Sequence, residues 1–107
     1  MFIRVKNNRL INFDTFIQVE IIRNDNEGYC GLFGLTTKDN KRINIIRFDN
    51  KDRIENELSY QICEKILDDI SVRLKGNNTM IDIRPNIKNI LKQYVPEMTN
   101  IDKKFCL

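Results

Sequence analysis

The chain contains no histidine, no tryptophan and no alanine. Without imidazole it lacks the side chain most used as a general acid or base near neutral pH, and the commonest metal ligand. No Ser/His/Asp or Cys/His nucleophile system can be assembled, and most zinc sites would be short of a ligand. Proline occurs twice and glycine four times in 107 residues, so no Gly- or Pro-rich linker or low-complexity tract divides the chain. No apolar run approaches the roughly 18 residues of a membrane-spanning helix, and Arg4 and Lys6 break up the apolar start. Cys30, Cys63 and Cys106 are odd in number and too far apart for a zinc knuckle, which favours reduced thiols in a cytoplasmic protein.

What is present is ordinary for a globular chain: 41% hydrophobic and 31% charged residues, enough apolar content for a real core. Isoleucine, asparagine and lysine are frequent, a bias that follows from an AT-rich genome. The net charge of +3 is mild. It is also uneven, because from Arg84 onward Arg84, Lys88, Lys92, Lys103 and Lys104 face only Glu97 and Asp102. Any anion-binding surface is expected there.

The strongest periodic signal runs between Lys51 and Lys75, where Ile54, Leu58, Ile62, Ile66, Ile70 and Leu74 recur every fourth residue. At about 100° per residue such a stripe advances about 40° per step and winds around the helix. With Cys63 and Leu67 added, the two halves of the helix aim their apolar arcs in different directions. Glu57, Gln61, Glu64, Asp68 and Lys75 share a polar strip. Two partners are therefore required: the strand-rich first half of the chain, and either the C-terminal segment or a second copy.

Before this helix the pattern is β. Phe2 to Val5 and Leu10–Ile11 flank the turn-forming Asn7 and Asn8. Ile17, Val19 and Ile21 alternate with Gln18 and Glu20, and Tyr29 to Thr36 follows a turn at Asn24 to Gly28. In Arg42 to Phe48, Ile43 and Ile45 point opposite to Ile46 and Phe48, which requires cover on both faces or a bulge. Asp49 or Asn50 is a candidate cap for the long helix. After Gly76, residues 79 to 83 read as a strand. Pro85 then suits the first turn of a second helix carrying Ile87, Ile90, Leu91, Tyr94 and Val95, and Pro96 ends it.

The expected architecture is α+β: an antiparallel sheet of about five strands, one long helix packed across it, and a short C-terminal strand and helix. All of it forms one domain, with residues 1–50 strand-rich, 51–75 helical, 79–95 a short strand and helix, and 96–107 a tail. In composition and element order the chain is similar to small proteins of phages and mobile elements; no residue motif names a family.

Three functional classes are compatible with this reading. The first is a small non-enzymatic protein-interaction module, an inhibitor or adaptor, whose surface is the second half of the helix arc, Ile66, Leu67, Ile70 and Leu74, and whose partner is another protein or a second copy. The alternative is nucleic-acid binding through Arg84, Lys88, Lys92, Lys103 and Lys104, since backbone phosphates need only positive charge within reach. A third, weaker reading is a metal-dependent nuclease: Asp39 followed by Asp49, Asn50 and Lys51 resembles the D, then D/E-x-K pattern of such enzymes at a very loose spacing. Gly31 to Gly34 matches the bare G-x-x-G of KH domains, and Glu27 to Tyr29 resembles the aromatic strand of an RNA-recognition motif. Both lie among strand residues where bulges or close packing account for glycine. No cofactor, no resident metal and no membrane contact are expected.

Overall fold

The computed structural model describes residues 1–6, 9–36, 40–49, 52–76, 80–105 and 107. The turn expected at Asn7–Asn8, the acid Asp39, the pair Asn50–Lys51 and Cys106 lie outside the described residues. The fold is α+β, with six strands in two three-stranded sheets where one larger sheet was expected.

The first sheet consists of β1 (Phe2–Lys6), β2 (Arg9–Asn12) and β6 (Met80–Asp82) in the order β2-β1-β6. Strand β1 runs antiparallel to β2 and parallel to β6. The second sheet is an antiparallel meander of β3 (Phe16–Asn24), β4 (Tyr29–Thr36) and β5 (Arg42–Asp49). What splits the expected sheet is a single 3-10 turn, Phe13–Thr15, between β2 and β3. The Asn12 side chain accepts from the Asp14 N–H at 3.1 Å, and the Thr15 hydroxyl donates to the Asn12 carbonyl at 2.7 Å. These local bonds compete with a continued ladder and redirect the chain, while Phe13 is buried beneath the corner.

Two bulges decide which residues face inward. The register of β3 against β4 slips between Phe16 and Gln18. Phe16 thereby joins Val19 and Ile21 against the core, and Ile17, expected inside, is 61% exposed. The Phe16 ring lies over Gly34, where an added Cβ would sit 2.5 Å from its ring carbons. The second slip falls between Ile46 and Asn44, opposite Leu32 and Phe33. It lets the successive residues Ile45 and Ile46 both be buried, which is the bulge alternative expected for that strand. Gly31 sits beside it, because a Cβ there would meet the Ile46 carbonyl oxygen at 2.7 Å.

Helix α1 spans Asn56–Leu74, starting five residues later than its apolar period suggested. Asp49 does not cap it. Instead the Asp49 N–H donates to the Asp52 carboxylate at 2.8 Å, and Arg53 takes a left-handed φ of 56° that no α-helix can continue through. Ile54 is buried in the connection. Helix α2 spans Arg84–Tyr94 with Pro85 in its first turn, and a short α3 spans Ile101–Phe105.

Candidate functional site

The winding stripe of α1 finds both its partners within the chain. It packs on β4, β3 and α2, with Glu57 bonded to Arg23 of β3 near its start and Arg73 bonded to Asn86 of α2 near its end. Ser59 and Cys63, small, fully buried and one turn apart, permit the close approach to the sheet. Cys63 meets Cys30 of β4, and that thiol together with burial holds the Cys63 thiol far above its ordinary pKa. It is a packed core residue and not a nucleophile. At the helix start, Arg23 donates to Glu57 at 2.6 Å and to Asp25 at 2.9 Å, and Asn56 donates to Asp25 at 2.9 Å. Asn56 and Arg23 together hold the Asp25 carboxyl below the usual carboxylate range, clamping the β3–β4 turn to α1. Near the far end, Arg73 and Asp69 both bond Asn86 of α2.

The residues singled out as an interaction arc therefore separate. Ile66 and Ile70 are 1% exposed, buried in the chain's own core. Leu67 is half-buried and Leu74, at the helix end, is 41% exposed. The polar strip from Glu57 to Lys75 is exposed throughout.

A larger apolar surface lies where the sequence pattern was silent. In the first sheet Ile3, Ile11 and Ile81 face the core, so their neighbours Phe2, Leu10 and Met80 face outward, 45%, 54% and 54% exposed. The registers Phe2↔Met80 and Arg4↔Leu10 place all three on one face, Phe2 beside Met80 and Leu10 beside Arg4, diagonal to Phe2. Arg4 and Asp82, also in register, are the charges beside them. The outer face of the second sheet differs. Arg47 stacks over the Tyr29 ring at 4.1 Å and pairs with Asp49 at 2.8 Å, and Tyr29 meets Phe33 edge-on. Those aromatics are half-buried by their own neighbours.

The basic C-terminal residues are brought together only in part. Arg84 is bound by the Asp82 carboxylate at 2.7 Å, and Lys104 turns away to the Asp52 carbonyl at 3.4 Å. Lys88, Lys92 and Lys103 remain around one cleft of about 590 Å³ between α2 and the 96–103 segment. Of the acid set read as a nuclease pattern, the described member, Asp49, is engaged by Arg47 and by its own turn. Among the described residues no three acids or thiols come together in a way that could hold a metal ion, and no described helix is long and apolar enough to cross a membrane.

Comparison with known protein families, with curated proteins and with solved structures finds no match for this chain. The functional reading rests on the geometry alone.

Proposed function

We propose that the protein is an interaction module that pairs with a second copy of itself through the outer face of the β2-β1-β6 sheet. The observation that carries this reading is the outward Phe2, Leu10 and Met80, three large apolar side chains on one sheet face, with Phe2 opposite Met80 and Leu10 opposite Arg4, each about half exposed. Scattered apolar residues on a surface need no explanation, but a contiguous set on one sheet face marks an interaction site. A second copy fits better than a partner of one charge, because this face carries Arg4 and Asp82 side by side. A twofold arrangement can oppose the two signs and is self-complementary.

The size of the patch sets the strength. An aromatic side chain such as Phe2 offers roughly 150–250 Å² and Leu10 and Met80 less, so half exposure of three leaves at most about 300 Å² of apolar surface per copy. A stable interface buries about 800 Å² per partner. The dimer is accordingly a weak one, formed at high concentration and strengthened wherever the protein is concentrated locally.

Sedimentation velocity from micromolar to millimolar protein tests this. A concentration-dependent dimer that disappears in Leu10→Lys and in Met80→Lys is the expected result. A strict monomer across that range refutes self-pairing.

A further inference from the structure

Independently of the sheet face, the cleft between α2 and α3 carries a charge arrangement that the fold does not use. Lys88 and Lys92 stand one helical turn apart on α2 and form one wall. Residues Pro96, Met98, Asn100, Ile101 and Lys103 line the rest. The acid among them, Asp102, is held by Lys88 at 2.7 Å. Lys92 and Lys103 have no ion-pair partner among the described residues. Three ammonium groups against one carboxylate leave the cleft with a net charge of +2.

We propose that this cleft binds a small organic phosphate, a phosphomonoester whose organic part rests on the apolar lining. A phosphomonoester carries about −1.5 to −2 charges at neutral pH, which matches the uncompensated pair Lys92 and Lys103. Lysine ammoniums serve phosphate as point charges on flexible stems, so they close on a bound group without a preformed fork. Asn100 adds an amide donor at the rim, and its left-handed φ of 56° turns the chain so that the 96–103 segment faces back toward α2. Pro96, exposed, and Met98, half-buried, give the organic part an apolar surface. The volume of about 590 Å³ suits a small ligand.

A polymeric phosphate is the poorer fit. A strand of nucleic acid needs a basic track that follows its backbone, and here the track is interrupted on both sides. Arg84 is occupied by Asp82, and Lys104 points to the Asp52 carbonyl outside the cleft.

The test is titration of isotopically labelled full-length protein with phenyl phosphate at low salt, followed by amide chemical shifts, with phenol and a single-stranded oligonucleotide as parallel arms. Phenyl phosphate should move the amides of Lys92, Met98, Ile101 and Lys103, and phenol should not. The double change Lys92→Gln with Lys103→Gln should weaken binding about tenfold, two partly exposed charge contacts being lost. Asp102→Asn should strengthen it a few-fold, because it removes the one like charge in the cleft. The opposite directions separate binding from any loss of folding. Absence of phenyl phosphate binding, an unchanged affinity in the double variant, or binding confined to the oligonucleotide overturns the proposal.

Discussion

The two sheets share a chain and a core but are built in contrasting ways. The β3-β4-β5 sheet is a meander of sequence neighbours whose side chains contact one another on the outer face, through the Arg47 guanidinium on the Tyr29 ring, the Arg47–Asp49 pair and the edge contact of Tyr29 with Phe33, while Ile17 of β3 stays 61% exposed. The β2-β1-β6 sheet joins two N-terminal strands to one at residues 80–82, and its outer face carries the exposed Phe2, Leu10 and Met80 beside the charged Arg4 and Asp82. Inward, the division continues, since α1 covers the meander while α2 lies on β1 and against α1. The contrast points to the first sheet, which leaves Phe2, Leu10 and Met80 about half exposed, as the place to test the proposed self-pairing.

Four experiments press on that contrast. The largest effect belongs to the core of the meander, where Phe48 is 1% exposed and meets Phe105 of α3 edge-on at 5.4 Å. Phe48→Ala should cost about 3–5 kcal/mol in denaturant unfolding, enough to consume much of a small domain's stability. A loss below about 1 kcal/mol would mean that α3 is not docked there. Next comes Gly34→Ala, whose new methyl would collide with the Phe16 ring; overpacking should cost about 1–3 kcal/mol. Adding Phe16→Leu should recover part of that loss, whereas a purely additive double variant would show that the ring does not lie over Gly34.

A smaller effect tests the polar end of the first sheet. Arg84 donates to Asp82 and holds its carboxyl below the usual range. A depressed carboxyl stabilises the folded state above its unfolded value of about 3.9, and the contribution is lost as pH falls through the lower folded value. Asp82→Asn should therefore destabilise by at most about 1 kcal/mol at neutral pH, both side chains being partly in water. It should also flatten the acid limb of stability against pH. An identical acid limb would assign that limb to other carboxylates. The smallest effect on folding should come from Leu10→Lys, which changes stability by about 0.5 kcal/mol or less while abolishing self-association. If that variant unfolds, the outer face is covered after all and the distinction between the sheets collapses.

Much of the architecture was legible because it depends on local rules. Pro85 and Pro96 bracket α2 as expected, since a residue without an N–H is tolerated in the first turn and cannot continue the hydrogen-bond ladder of the interior. The two-partner demand of α1 was legible too, because an every-fourth stripe must wind whatever covers it. Deciding between the two expected covers, the C-terminal segment and a second copy, was not, and α2 of the same chain lies against α1 while Ile66 and Ile70 are buried. The start of α1 was misplaced for a similar reason: Ile54 keeps the helical period although the left-handed Arg53 excludes it from the helix. Of the basic residues, composition located the region, but only the bonds to Asp82, Asp102 and the Asp52 carbonyl separate the occupied cations from Lys92 and Lys103.

The amino-acid sequence by itself determined the main strands, the two longer helices, the α+β class and the absence of imidazole chemistry, which follow from periodicity, breakers and composition within a few neighbouring residues. The Phe13–Thr15 turn and the short α3 in the expected tail did not show in it. The tertiary structure alone decided the division into two sheets and the inward or outward sense of adjacent apolar pairs such as Phe2 and Ile3, or Met80 and Ile81. In those pairs both residues are apolar, so local patterning is degenerate, and their orientation is set by the parallel pairing of strands from the two ends of the chain and by the helix that lies beneath them.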